Sequence, residues 1–163
     1  MTRVMGWLED RRTLEFGLLV LWAVYFIVIA AGNLTELLWS FGWIDPAFRS
    51  GNLHWVTVTT SIYVNSEALD QVLLAGAVLF EGFAGFLLCR AAVQWAKRAA
   101  SAQAASRAGL LVGTAVFFVY AISVEATISY ERGQNETDYW VIVGSLLASL
   151  LVISLLARDP ERS

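Results

Sequence analysis

VLLAGAVLFEGFAGFLLCRAA, residues Val72 to Ala92, is the stretch whose reading decides the fold. Its length is close to the ~20 residues that carry a helix across a ~30 Å hydrocarbon core. It shows none of the apolar-polar alternation of an outer-membrane strand, so it predicts a transmembrane helix. Near its middle stands Glu81. An acid at the centre of a span costs roughly 2.5–3.5 kcal/mol even on translocon-derived scales, so Glu81 marks a polar spot inside a bundle.

Three further runs of the same kind predict three more spans: Leu14 to Ala31 (with helix extending past Asn33 toward Leu38), Leu110 to Ser129, and Trp140 to Ala157. Composition agrees. Of 163 residues 58% are hydrophobic and 15% charged, against about 25% charged in soluble domains. Mean hydropathy is +0.61. One core of this size cannot hide so much apolar side chain, and lipid must cover the rest. The expected fold class is therefore all-α: a four-helix transmembrane bundle with an aromatic-rich outer loop between spans 1 and 2. Residues 1–163 are too few for a bundle plus a separate folded domain, so a single integral membrane domain is expected.

Charge asymmetry orients the spans. Arg3, Arg11, Arg12, Arg90, Lys97, Arg98, Arg107, Arg158 and Arg162 fall on one side, and only Arg49 and Arg132 on the other. Basic residues favour the cytoplasmic side. Both termini and the 93–109 loop are thus expected in the cytoplasm, with 32–71 and 130–139 outside a cytoplasmic membrane. The first run follows three arginines but lacks a prompt small-residue cleavage site, and it reads as a retained span rather than a signal peptide. The net charge of −3 argues against a nucleic-acid partner. The Ala/Ser-rich 93–109 loop reads as a helical hairpin or a loose linker.

The outer segment concentrates Trp39, Phe41, Trp43, Phe48, Trp55 and Tyr63, side chains that favour the headgroup zone. Asp45-Pro46 is a helix-start signal, predicting a short helix from Pro46. Trp55 to Val64 alternates apolar and hydroxyl residues as a strand does. A lone strand is marginal, so an extended cap over the bundle is the other reading.

Small residues surround Glu81. Ala77, Gly82 and Gly85 lie on neighbouring helical positions, with Gly76 close by, leaving a groove where another helix can approach. A carboxyl there is either a hydrogen-bonded packing residue or a proton or cation site. Glu125, about one turn from the outer end of its span, is the second intramembrane acid. If the first span continues past Asn33, then Asn33, Glu36, His54 and Glu125 can meet near the outer leaflet. That set fits no metal-ligand spacing, and no metal site is expected. Asn33-Leu34-Thr35 and Asn135-Glu136-Thr137 fit the glycosylation sequon, and chance accounts for both. Cys89, the only cysteine, reads as a small buried residue. With no Walker loop, no Ser-His-Asp order and a single His, no enzyme chemistry and no cofactor are expected. A lipid or quinone site lined by Trp22, Phe26, Phe83 and Phe86 is less economical than core packing.

Gly32-Asn33-Leu34-Thr35-Glu36 closing the first span, Thr57-Val-Thr-Thr60 outside it, Glu81, Glu125 and the Gly133-Gln134 turn together resemble a family of small four-span bacterial integral membrane proteins catalogued as a domain of unknown function. Its members carry Asn-Leu-Thr-Asp, Glu-Ala and Gly-Glu-Trp motifs. This chain departs from them with Gly82 after Glu81 and with Val124-Glu125-Ala126 at the third motif. The resemblance implies the topology and the prominence of the two glutamates, and it implies no reaction. The reading from sequence is thus a non-enzymatic membrane protein, an accessory or scaffold subunit bound to the bilayer and to another membrane protein or to itself. The alternative is a proton- or cation-coupled carrier using Glu81 and Glu125. Asn33, Glu36, Gly82 and Gly85 complete the candidate site.

Overall fold

A computed structural model describes residues 11–126 and 136–156. Among them are five α-helices and no strand: α1 (Arg11–Ser40), α2 (Asn52–Thr60), α3 (Glu67–Ala96), α4 (Ala102–Ala126) and α5 (Glu136–Leu156). A single 3₁₀ turn, Pro46–Phe48, lies between α1 and α2. Three helices are long and apolar enough to cross a membrane: Thr13–Ser40, Glu67–Ala96 and Ala102–Ala126. The last apolar run forms the shorter helix Tyr139–Leu155, so length alone supports three of the four expected spans. The expected ends at Ser129 and Ala157 lie outside the described residues.

Burial is inverted relative to a water-soluble bundle. Glu15, Asn33, Glu36, Asp70 and Glu81 are buried, whereas Leu21, Val28, Leu79, Phe80 and Phe86 are exposed. Such a surface is made for hydrocarbon. The core between the helices is Leu19, Trp22, Phe26, Leu88, Phe117 and Leu146, with Ile153 toward the far end.

α1 runs antiparallel along α3, α3 along α4, and α4 along α5, while α1 and α5 touch only locally. Glycines set the close approaches. A Cβ at Gly85 would lie 3.1 Å from Ile27, one at Gly109 3.0 Å from Leu88, and one at Gly113 2.7 Å from the Phe26 ring. Gly109 and Gly113 form a small-xxx-small pair that lets a neighbouring backbone or a large ring come in. Two indoles tie helices together: Trp22 Nε1 donates to Ser149 Oγ at 3.0 Å, and Trp95 Nε1 to Ser106 Oγ at 2.9 Å.

Helix ends follow local chemistry. Gly42 N–H donates to the Trp39 carbonyl and Trp43 N–H to that of Leu38, with Gly42 at φ 71°, a Schellman stop for α1. The α3–α4 turn repeats this pattern with Arg98 at φ 54° in the glycine position. Of the two readings of 93–109, the helical hairpin is the one observed. Ser66 caps α3, its hydroxyl accepting from Leu69 N–H at 3.3 Å.

The outer segment is helical where alternation suggested a strand. Asp45 does cap a turn at Pro46, accepting from Ala47 N–H at 2.8 Å, but that turn stops after three residues. Trp55 to Thr60 lies in α2. No second strand offers pairing, whereas a helix places Thr57 and Thr60 on one face, three residues apart. Both hydroxyls donate to the buried Asp70 of α3, Thr57 at 2.8 Å.

Candidate functional site

Glu81 is 2% exposed and joins two long helices to its own. Asn33 Nδ2 of α1 donates to its Oε2 at 2.7 Å, and the Tyr120 hydroxyl of α4 donates to its Oε1 at 2.9 Å. Both carboxyl oxygens therefore accept. Tyr120 in turn stacks within 5.9 Å of Tyr139, near the start of α5, so one polar layer touches all four long helices.

The layer continues into the outer segment. Asn52 Nδ2, at the first residue of α2, donates to Asn33 Oδ1. The preceding Gly51 N–H donates to Glu36 Oε2 at 2.6 Å, with Ser50 Oγ at 3.4 Å from the same oxygen. Gly51 holds φ 86°, a conformation that strains an L side chain. Ser50 packs 3.8 Å from where a Cβ of Gly32 would be. The chain leaving α1 at Ser40 has therefore folded back beside it by two turns, about 12 Å at 1.5 Å per residue. From there α2 climbs along α3 to Asp70. Residues 41–60 form a strap latched at three points: Glu36 to Gly51, Asn33 to Asn52, and Asp70 to Thr57 and Thr60.

Glu81 is central on α3 but not in the bundle. Asn33 lies seven residues, about 10 Å, before Ser40 at the strap-side end of α1, and Tyr120 lies six residues before Ala126, the last described residue of α4. Tyr139 opens the apolar stretch of α5. Among the described residues α3 reaches furthest at this end, where α2 flanks it. The polar layer thus occupies the strap-side half of the bundle, and Phe26, Leu88, Phe117 and Leu146 seal the interior on its other side.

Asn33 and Glu81 come together, and Glu36 joins them through Ser50–Asn52. Of the two candidate glycines only Gly85 makes a helix contact, since Gly82 has open space around it. Glu125 stands apart, in a half-exposed region at 3.4 Å from Trp140 Nε1. His54 is exposed and lies against Trp55, so the grouping of Asn33, Glu36, His54 and Glu125 does not form. Among the described residues no three His, Cys, Asp or Glu side chains converge on a metal position. Trp22 and Phe26 are core residues, while Phe83 and Phe86 are exposed, so those four rings line no common site. Cys89 is half-buried against the core. The buried Asn33 amide donates to Glu81 and accepts from Asn52, and Asn135 lies outside the described residues.

Several members of the network carried no strong signal. Tyr120 is one of several hydroxyl side chains in the 110–129 run, with Thr114 and Ser123, and Asn52 and Asp70 sit in the aromatic-rich outer segment. Glu15, buried near the other end of α1, was legible as an acid between Leu14 and Phe16. The Gly109-x-x-x-Gly113 pair was legible too.

No family model, no curated protein and no solved structure matches this chain.

Proposed function

We propose that this chain is a non-enzymatic integral membrane protein of four spans that serves as an accessory or scaffold subunit, presenting its strap side to a second membrane protein. The observation that supports it is the latching of residues 41–60 by three buried side-chain acceptors, Glu36, Asn33 and Asp70. That arrangement holds the exposed His54 and Trp55, and the Ile62 and Tyr63 that follow, on a fixed frame. Glu81 serves the frame, because its two oxygens are both taken by donors from other helices.

The four-span topology rests on the apolar helix Tyr139–Leu155 as a short span of 17 residues, about 25 Å, which a locally thinned bilayer accommodates at modest cost. The distribution of basic residues supports a topology with both termini in the cytoplasm and the strap outside. Membership of the four-span family is part of the same proposal and rests on the motifs around Asn33, Thr57, Glu81 and Glu125.

A proton- or cation-coupled carrier is the second reading. It is favoured by the continuous path Glu81–Asn33–Asn52 from a buried carboxyl to the strap. The apolar seal of Phe26, Leu88, Phe117 and Leu146 would have to open for it. Native mass spectrometry of protein extracted gently from its own membrane separates the two readings. The scaffold reading expects a stoichiometric complex with a larger membrane protein, lost in Trp55→Ala/Ile62→Ser. A chain found alone or with copies of itself, showing proton-coupled flux in vesicles that Glu81→Gln abolishes, overturns it.

A further inference from the structure

We propose that residues 41–49, FGWIDPAFR, form a phospholipid-binding lip, with Phe41, Trp43 and Phe48 in the outer leaflet's headgroup boundary and Arg49 paired with a lipid phosphate. The inference rests on the proposed topology, and within the strap it concerns residues 41–49 rather than the His54 to Tyr63 stretch offered to a partner. The Schellman stop at Gly42 turns the chain back on α1, and by Ser50 it has returned to the level of Gly32. The lip therefore lies beside the membrane-spanning helix rather than above it.

Nothing in the described chain covers this lip. Every residue from 41 to 49 except Ile44 is exposed, Trp43 by 72% and Phe48 by 67%. Three large rings presented to water within eight residues of chain are costly, but at the acyl-headgroup boundary they find apolar surroundings. At this level α1 itself also carries exposed apolar side chains, Val28 and Leu34.

Charge selects the partner. Arg49 is the only Lys or Arg between Arg12 and Arg90. Its guanidinium sits 5.1 Å from the centroid of the Trp39 ring, a cation-π seat, and among the described residues no carboxylate pairs with it. Asp45, the one acid in the lip, is turned onto Ala47 N–H. Phe41 and Trp43 stack at 5.5 Å, giving a compact aromatic wedge beside a single fixed cation. That pairing suits a phosphodiester above acyl chains.

The test uses the full chain with Cys89→Ala, reconstituted in phosphatidylcholine/phosphatidylglycerol vesicles with no other protein. A membrane-impermeant maleimide is expected to spare cysteines placed by Trp43→Cys and Ala47→Cys and to label Ser61→Cys, which is exposed beyond α2. In native mass spectrometry, Arg49→Gln is expected to lose the phosphatidylglycerol that the parent protein retains. Labelling of positions 43 and 47 as rapid as that of 61 overturns the lip. So does protection that appears only in the native membrane, which would mean that a protein covers it. Equal lipid retention by Arg49→Gln overturns the role of the cation.

Discussion

At the scale of single residues, the energetic weight falls on polar side chains that would be expensive if left without partners. Removing the carboxyl of Glu81 strands Asn33 Nδ2 and the Tyr120 hydroxyl in the interior, at roughly 1–3 kcal/mol for each group. Glu81→Ala is therefore expected to lower unfolding stability in detergent by several times as much as Glu81→Gln, which can still accept from Asn33 while the Tyr120 hydroxyl reverses. Tyr120→Phe removes one donor and leaves an acceptor with a second partner, so it should cost about 1 kcal/mol. Denaturant titration of the three variants checks this order. Glu125→Gln is expected to be neutral within about 0.5 kcal/mol, because that side chain is half exposed and its contact with Trp140 is long. Equal losses for Glu81→Ala and Glu125→Gln would refute the assignment.

Elements are set by how closely helices approach and by how they stop. Gly113 faces the Phe26 ring at a distance that leaves no room for a methyl group. Gly113→Ala should cost roughly 1–3 kcal/mol through overpacking, whereas Gly82→Ala, with open space around it, should be tolerated and even favour the helix. Comparing the thermal unfolding of the two separates packing from propensity. At the α3–α4 turn, Arg98 occupies the left-handed position, where a side chain costs roughly 1–2 kcal/mol and glycine does not. Arg98→Gly is expected to raise the melting temperature, and a fall would show that the Arg98 side chain contributes more than its backbone strain removes. α2 shows the opposite relation between pattern and outcome. Alternation from Trp55 to Val64 favoured an extended chain, but Asp70 offered two hydroxyls a helical partner and no strand was there to pair.

Across the whole molecule, the strap and the four long helices act through one polar layer. If the latches hold the strap, then Asp70→Ala, which frees Thr57 and Thr60, should make the segment around Gly51 and Asn52 markedly more sensitive to protease added outside sealed vesicles. The spans should meanwhile remain folded by circular dichroism. Unchanged cleavage would mean that the remaining contacts suffice.

The sequence by itself determined the lipid-facing, helical character of the long apolar runs, because hydrocarbon admits only helices or closed barrels and these runs lack the alternation of a barrel strand. It also marked Glu81, Asn33 and Glu36 as residues needing partners, since a buried polar group is costly wherever it lies. Only the tertiary structure decided what those partners are. Glu81 reads as the middle of its run, yet Asn33, Tyr120 and Tyr139 place it in the strap-side half of the bundle, because among the described residues α3 reaches furthest there. Glu125, equally acidic in sequence, points to a half-exposed edge. The difference between the two glutamates lies in helix rotation and register, which depend on contacts such as Gly85 with Ile27 and Gly113 with Phe26. Those contacts join residues far apart along the chain, so no local pattern carries them.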